Sequence, residues 1–166
     1  MKEGWVVIIL LLLGTSTLSG CISEGTGTLV LKITDAPTKL KITEALVTIS
    51  HVEVHLVLSG WKTVVEEPQT FELIALENAQ ELLGSANLSA GYYTEIQLHV
   101  DKAIVTIANK EYDLKIPSQK IRLKSPFNIE HNQTTVLTLD FDVNQSVHYT
   151  INGRYIMRPT IKVIEE

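Results

Sequence analysis

Apolar and polar side chains alternate with a period of two through most of this chain after residue 28. The stretch 29–34 reads Leu-Val-Leu-Lys-Ile-Thr, and 136–143 reads Val-Leu-Thr-Leu-Asp-Phe-Asp-Val. Alternation rich in β-branched residues is typical of strands that place one face in a core. Turn-forming pairs such as Glu67-Pro68 interrupt these runs. We therefore expect about nine to eleven short strands in an all-β fold, an antiparallel β-sandwich of the prealbumin or immunoglobulin-like kind.

One segment between residues 76 and 83 departs from this alternation. Its apolar residues recur at helical spacing, and acidic and amide side chains occupy the opposite face. Gly84 follows this segment and can end a helix as its C-cap. The pattern predicts one short helix that closes an end of the sandwich.

The dipeptide Asn152-Gly153 predicts a hairpin near the end of the chain. It favours a primed two-residue turn, because both residues tolerate the positive φ angles that such a turn needs. The predicted hairpin joins a strand at 147–151 to a strand at 154–156.

The first twenty-one residues resemble a lipoprotein signal peptide. A charged start leads into nine apolar residues, 5–13, and a Leu18-Ser19-Gly20-Cys21 lipobox follows. Nine residues span about 14 Å as a helix, whereas a bilayer core is about 30 Å thick, so the segment is a secretory apolar region rather than a membrane span. A short buried helix, or a signal peptide cleaved elsewhere, fits the small residues before the sole cysteine less well.

These features set the expected domain organisation and location. We expect a signal peptide at 1–20, a lipid-anchored tether at 21–27 and one β-sandwich domain at 28–166. The lipid on Cys21 would hold the protein in an extracytoplasmic position on the cell membrane of an archaeon or bacterium, because a diacylglyceryl group supplies the second chain that stable anchoring needs. With its only cysteine used in this way, the chain forms no disulfide.

The charge pattern argues against nucleic acid as a partner. The formal net charge is -5 at pH 7, and removal of the leader takes away one lysine and one glutamate, which leaves that charge unchanged. The lysines are scattered, with few aromatic residues beside them, so no basic patch for a phosphate backbone is expected.

The sharpest candidate for a metal site is the segment His51-Val-Glu53-Val-His55. On a strand these three polar side chains share one face, but the two histidines lie about 13 Å apart, too far to share one ion. A complete site needs a neighbouring strand, and Gln97, His99 and Asp101 form a similar polar face on a second strand. If the strands pair in register, these residues could bind a transition metal; otherwise they are ordinary polar residues on the solvated face of a sheet.

A second candidate metal site, for calcium, is the acidic segment near residue 140. Asp140, Asp142 and Asn144 would place three oxygen ligands on one strand face, but Gln145 stands where an EF-hand needs glycine. Two carboxylates side by side repel each other, and either a bound cation or a facing Lys or Arg would relieve this repulsion. Asp35, which precedes a turn, is expected only to hydrogen-bond its own backbone.

No motif in the sequence indicates catalysis. The chain lacks a Gly-x-Ser-x-Gly nucleophile elbow, a His-Glu-x-x-His zinc motif and a phosphate-binding glycine loop. The protein is therefore expected not to be an enzyme and to need no cofactor, apart from the metal ion considered above.

Exposed aromatic rings would indicate carbohydrate binding, whereas packing in the core or at corners is the alternative role for them. The rings considered are Trp61, Tyr92, Tyr93, Tyr112, Tyr149 and Tyr155. Trp61 follows a turn and could project from it. Tyr92 or Tyr93 is suited to pin a sandwich corner through its hydroxyl group.

Three Asn-x-Ser/Thr triplets begin at Asn87, Asn132 and Asn144. They are expected at turns or strand ends, where they would be candidate glycosylation sites on an exported surface. Such triplets also occur often by chance.

Five segments of the chain carry a family resemblance, and the most specific part is Thr34-Asp35-Ala36-Pro37. The segments are 27–37, 71–76, 88–98, 137–142 and 155–161. Together they resemble the ordered landmarks of domain-of-unknown-function family 4382. The resemblance implies a β-rich domain of secreted or lipid-anchored proteins, and it implies no activity and no catalytic residue.

The sequence as a whole predicts a non-catalytic binding or structural module of the cell envelope, attached to the membrane through Cys21. Its partner would be an envelope protein or a glycan. The alternatives are a metal-ion-binding surface protein, using calcium or a transition metal, and a carbohydrate-binding protein.

Overall fold

The computed structural model describes residues 25–37 and 41–166, so the predicted signal peptide and Cys21 lie outside the described residues. Strands dominate the described part, which contains one 3₁₀ turn (Ile74–Leu76) and one short helix, α1 (Val143–Ser146). The strands are β1 (Thr26–Asp35), β2 (Ile42–Leu56), β3 (Gly60–Val65), β4 (Gln69–Glu72), β5 (Glu81–Ser89), β6 (Gly91–Ile107), β7 (Lys110–Asp113), β8 (Lys120–Ile129), β9 (Thr134–Phe141), β10 (Val147–Tyr149), β11 (Tyr155–Met157) and β12 (Ile161–Glu165).

Two sheets pack into the predicted β-sandwich. The larger sheet is centred on the long strands β2 and β6; β3 and β4 pair with β2, and β7 and β8 pair with β6. The smaller sheet has the order β12-β9-β1-β5, and β10 and β11 form a separate hairpin. Register shifts along β2 and β6 mark bulges, which let such long strands bend.

One strand pair differs from the antiparallel expectation. β1 and β9 run parallel, whereas β1 pairs with β5 and β9 pairs with β12 in the antiparallel sense. A parallel pair needs a long connection, and the whole larger sheet is built between β1 and β9 along the chain.

The core lies between the two sheets, and the period-two pattern that predicted it is confirmed. Leu29, Leu31 and Ile33 of β1 have no exposed surface, while the residues between them are half-buried. The side chains of Tyr93 and Phe127 stack with their ring centroids 5.1 Å apart. Alternation along single strands therefore identified the inward face correctly.

The predicted helix at 76–83 is wrong. The 3₁₀ turn ends at Leu76, and β5 begins at Glu81 with Gly84 inside the strand. Leu83 is fully buried whereas Leu82 is 58% exposed, so these neighbours point to opposite faces, as strand residues do. The edge of β1 needs a hydrogen-bonding partner, and β5 supplies it over eight residue pairs.

The predicted hairpin is confirmed, but its turn is of another type. The Thr150 N–H donates to the Arg154 carbonyl (2.8 Å), and the Gly153 N–H donates to the Thr150 carbonyl (3.0 Å). Only Gly153 has a left-handed φ, of 73°, whereas a primed turn requires positive φ at Asn152 as well. The loop is therefore a type I turn followed by a glycine bulge; the first strand is two residues shorter than predicted, and the second begins one residue later.

The domain begins two residues before the predicted boundary at 28. Thr26 and Gly27 already belong to β1 and pair with Ser89 and Leu88. Gly27 is required by packing, because a side chain there would collide with the Glu130 carbonyl.

Different segments of the chain lie at the two ends of the sandwich. At the N-terminal end, the Ala90 N–H donates to the Gly25 carbonyl (2.7 Å), and the Val57 N–H donates to the Tyr92 carbonyl (3.1 Å). At the opposite end, called the distal end below, β1 and β9 finish next to α1, and the β10–β11 hairpin lies beside β7. Strand β6 runs from one end to the other, about 50 Å if fully extended.

Candidate functional site

A cleft of about 950 Å³ opens at the distal end between β7 and the β10–β11 hairpin. The two walls are joined by a bridge between Lys115 and Ile156, and the Met157 N–H donates to the Lys115 carbonyl (2.9 Å). The lining residues are Glu111, Tyr112, Asp113, Leu114, Lys115, Thr150, Asn152, Gly153, Arg154, Tyr155 and Ile156. This cleft is called the tyrosine cleft below.

Three tyrosine rings meet at the tyrosine cleft. The Tyr155 ring lies 4.8 Å from the Tyr112 ring and 4.9 Å from the Tyr149 ring, measured between centroids. Tyr149 faces Tyr155 across the hairpin and is 67% exposed. Three of the tyrosines considered from the sequence are therefore brought together, although Tyr112 is far from the other two along the chain.

Charged groups of both signs surround these rings. The Lys110 ammonium lies 5.2 Å from the centroid of the Tyr112 ring, within cation–π range. Glu111, Asp113, Lys115 and Arg154 are exposed around the cleft. Flat rings with hydrogen-bonding groups at their edges can stack on a ligand and also fix its polar groups.

The predicted histidine face is confirmed as a face of the larger sheet. His51, Glu53 and His55 are half-buried and point outward from β2, while the valines between them are fully buried. His51 pairs in register with His99 of β6, and their rings lie 5.8 Å apart. His51 Nε2 is 3.6 Å from Glu53 Oε1.

Gln97, named in the sequence analysis as part of this polar face, links Glu53 to Arg122, and Arg122 was not identified from the sequence as part of a site. Gln97 Nε2 donates to Glu53 Oε2 (2.9 Å), and Arg122 Nε donates to Gln97 Oε1 (3.0 Å). The Arg122 guanidinium lies 5.4 Å from the Trp61 ring, so Trp61 lies against the sheet rather than projecting from the turn. The signal for Arg122 was the alternation Lys120-Ile-Arg122-Leu-Lys124, which places three cations on one strand face.

The remaining predicted ligands have other partners. His55 Nδ1 lies 3.1 Å from the Thr94 hydroxyl, and the Ser50 hydroxyl donates to Asp101 Oδ1 (2.8 Å). Across residues 25–37 and 41–166, no three His, Cys, Asp or Glu side chains are grouped so that they could hold a metal ion. Metal binding at His51, Glu53, His55, His99 and Asp101 stays a prediction.

The acidic segment near residue 140 does not form one strand face. Asp140 lies on β9 opposite Lys162, whereas Asp142 caps α1 and accepts from the Gln145 N–H (2.9 Å). Asn144 lies in α1 and its amide donates to the Pro37 carbonyl (3.1 Å). Burial raises the pKa of Asp140, Lys162 lowers it and Asp142 raises it. The facing lysine agrees with the interpretation of a partnered carboxylate, and calcium binding here stays a prediction.

Asp35 has a different environment from the local turn expected for it. Its side chain is 2% exposed, and Oδ1 accepts from the Val143 N–H (3.1 Å), which lies 108 positions along the chain. Its Oδ2 is buried and has no hydrogen-bond partner among the described residues. Burial raises the pKa of Asp35 to about 7, the hydrogen bond from Val143 opposes this shift, and Asp142, Asp140 and Glu77 add to it.

The predicted corner tyrosine and the three predicted glycosylation asparagines lie in different environments. Tyr93 is the corner tyrosine, because its hydroxyl donates to the Ser89 carbonyl (2.8 Å) and its burial raises its pKa. Asn132 is exposed in a turn, and Asn87 is exposed within β5. Asn144 is half-buried, and glycosylation of the three asparagines stays a prediction.

Comparison with known proteins places the chain in a family. No curated protein matches it. No helix in the described part of the chain is long and apolar enough to cross a bilayer. Residues 26–159 match the family described as Domain of unknown function (DUF4382), which confirms the resemblance found in the sequence. The match covers most of the chain, from the first strand to the residues after β11, and the protein therefore belongs to the DUF4382 family.

Proposed function

We propose that the protein is a non-catalytic binding module of the cell envelope, anchored by lipid on Cys21, and that its tyrosine cleft binds a carbohydrate chain. The observation that carries this proposal is the meeting of Tyr112, Tyr149 and Tyr155 beside a cleft of about 950 Å³. A cleft of that volume is in the range that holds small organic ligands.

The composition of the cleft supports carbohydrate as the ligand class. Sugar rings have apolar faces that stack on aromatic side chains, and their hydroxyl groups bond to charged and polar groups at the edge. The cleft is lined by the rings of Tyr112 and Tyr155 together with Glu111, Asp113 and Arg154, and the exposed Tyr149 ring packs on Tyr155. A purely apolar ligand would leave these charges without water or a partner, which is unfavourable.

The position of the cleft also supports a binding role at a membrane surface. The chain leads toward Cys21 from Gly25 at the N-terminal end, whereas the cleft lies at the distal end. With Cys21 in the membrane, the cleft would face away from the bilayer and toward the cell wall or the medium. A module that holds an extended polymer needs this orientation.

The ligand is tested by isothermal titration calorimetry of the full chain with cello-, malto- and chito-oligosaccharides. Loss of one stacking ring removes about 1 kcal/mol or more, so Tyr149→Ala and Tyr155→Ala should each weaken binding about fivefold or more. Tyr92→Ala is the matched control, because Tyr92 is 50% exposed but lies at the N-terminal end. Equal weakening by Tyr92→Ala, or no binding of any oligosaccharide, would contradict the proposal.

The anchor is tested by mass spectrometry of the protein from membranes. The expected result is a lipid on Cys21, and Cys21→Ser should release the protein into the soluble fraction. A mass without lipid, or a Cys21→Ser variant that stays with the membrane, would contradict lipid anchoring. Neither result bears on the cleft.

A further inference from the structure

The turn between β2 and β3 exposes apolar side chains at the N-terminal end of the sandwich. Leu58 is 101% exposed and Val57 is 40% exposed. Tyr92, whose carbonyl accepts from the Val57 N–H (3.1 Å), is 50% exposed. These three residues form an apolar tip, called the Leu58 tip below.

The backbone of Leu58 is held in an unfavourable conformation. Its φ is 70°, in the left-handed region that glycine and asparagine adopt more readily. A large apolar residue in this conformation gains no burial within the described chain to compensate for the strain. Strained residues that expose apolar surface are typical of functional contacts, so an occupant that covers the Leu58 tip is expected.

The length of the chain before Gly25 determines what that occupant is. Only Ile22, Ser23 and Glu24 separate Gly25 from Cys21. Four steps between Cα atoms reach at most about 14 Å, whatever their conformation. A lipid on Cys21 therefore keeps Gly25 within that distance of the bilayer surface.

The Leu58 tip lies at the same end of the sandwich as Gly25. The Ala90 N–H donates to the Gly25 carbonyl (2.7 Å), and Tyr92 follows Ala90 by two residues. Leu56, just before the tip, pairs with Tyr93. Hydrogen bonds thus connect the tether, the start of β6 and the tip.

We infer that the Leu58 tip inserts into the bilayer interface next to the lipid anchor; this inference rests on the proposed lipid on Cys21. Leu58 and Val57 supply apolar surface for the acyl boundary, and Tyr92 has the apolar ring and polar hydroxyl that suit the headgroup level. The tether converts a weak contact into an intramolecular one with a high effective concentration, so a small apolar tip is sufficient. The contact holds the sandwich upright and the tyrosine cleft away from the membrane.

Ile151 provides a matched control within the same chain. It is 104% exposed, also lies in a hairpin loop, and has an ordinary φ. It belongs to the distal end, where no contact with lipid is expected. Exposure alone therefore does not distinguish Leu58 from Ile151, whereas their positions relative to Cys21 do.

The inference is tested with the full chain in vesicles of phosphatidylcholine and phosphatidylglycerol. Because Cys21 carries lipid and is the only cysteine, Leu58→Cys and Ile151→Cys each introduce one free thiol for an environment-sensitive fluorophore. The label at position 58 should emit at shorter wavelength than in solution and be quenched by spin-labelled lipid. The label at position 151 should do neither, and a label in Tyr92→Cys should be quenched less than that at position 58.

The outcomes of this experiment distinguish failure of the membrane-insertion inference from failure of the proposed lipid anchor. Mass spectrometry of the same samples reports whether Cys21 is lipidated. If lipid is present and the label at position 58 stays in water, or if both labels enter lipid equally, the inference is wrong while the anchor stands. If no lipid is present, the proposed anchor is wrong and the inference is rejected with it. Circular dichroism checks that each labelled variant is folded, and Val57→Cys replaces Leu58→Cys if that variant is not.

Discussion

The two ends of the sandwich are held together by different kinds of contact. The N-terminal end is closed by aromatic packing, with Tyr93 buried against Phe127 and bonded to the Ser89 carbonyl. The distal end also has packed tyrosine rings, but it adds buried polar contacts around α1, where Asp35 accepts from the Val143 N–H and the Thr160 N–H donates to the buried Ser146 hydroxyl (2.9 Å). Apolar packing is insensitive to pH, whereas a buried carboxyl is not, so the end that bears the tyrosine cleft should be the one that responds to protons.

The largest expected effect is at the N-terminal end. Phe127→Ala removes a ring that is 4% exposed and stacks on Tyr93, and should lower the free energy of unfolding by about 3–5 kcal/mol. Urea unfolding at several pH values measures this. The loss should be the same from mildly acidic to neutral pH, and Ile151→Ala, at an exposed position, should change little. A Phe127→Ala loss that varied with pH would contradict the contrast between the ends.

The second effect is the pH dependence of the distal end. The pKa of Asp35 is raised from 3.8 to about 7, so the folded state binds more protons than the unfolded state between these values. The contribution of this group is therefore most favourable below about pH 4 and is lost as the pH rises through 7, by on the order of 2–4 kcal/mol.

Asp35→Asn tests this effect, because an amide keeps an acceptor for the Val143 N–H but carries no charge. The difference in unfolding free energy between the variant and the natural chain should change across this pH window and be constant outside it. Asp142, Asp140 and Glu77 face the same site, so Glu95→Gln, on the larger sheet, is the control for general removal of charge. A flat difference would mean that Asp35 does not titrate near neutral pH.

A smaller effect is expected at the Leu58 tip. Leu58→Gly removes the strain of a positive φ and should raise the free energy of unfolding by about 1 kcal/mol. Ile151→Gly, at a loop position with an ordinary φ, should not stabilise the protein. The comparison tests the contrast between the ends, because Leu58 would be retained at a cost in stability and Ile151 would not. Thermal unfolding of the two variants decides it.

The smallest expected effect is that of added metal. Asp142 already caps α1 and Asp140 faces Lys162, so calcium should not shift the unfolding temperature after chelation. Zinc and copper should not shift it either, since the His51, Glu53 and His99 side chains are not grouped for an ion. Stabilisation by a metal at 100 times its Kd would be about 2.7 kcal/mol, which is easily measured. A shift abolished by Asp140→Asn or His99→Ala would support the metal-binding interpretation.

The fold was predictable where one strand carries its own signal. Alternation in β1 and β9 identified the inward residues, because a strand repeats every two residues and one face must be buried. The prediction for 76–83 failed for a physical reason: the adjacent Leu82 and Leu83 fit a helical stripe better than alternation, but β1 needs a partner strand and β5 supplies it. The periodicity of one segment does not report whether another strand lacks a hydrogen-bonding partner.

The candidate site was predictable only in its parts. The predicted histidine site required β2 and β6 to pair in register, and His51 does pair with His99. The hydrogen bond from Arg122 to Gln97 depends also on the register of a third strand, β8. The partner of Asp35 lies 108 positions away, and the three tyrosines meet only because the hairpin folds beside β7. Such contacts follow from topology, which a single sequence does not specify.

The location of β1 inside the smaller sheet has a mechanical consequence. β1 leaves the sandwich at its N-terminal end and lies between β5 and β9. If a polymer held in the tyrosine cleft is pulled away from the cell, the load between cleft and anchor runs along this strand. The hydrogen bonds on both of its edges are then stretched together in shear instead of being peeled apart in turn. With the proposed anchor and the proposed polymer both in place, the rate of forced unfolding would be set by this shared resistance.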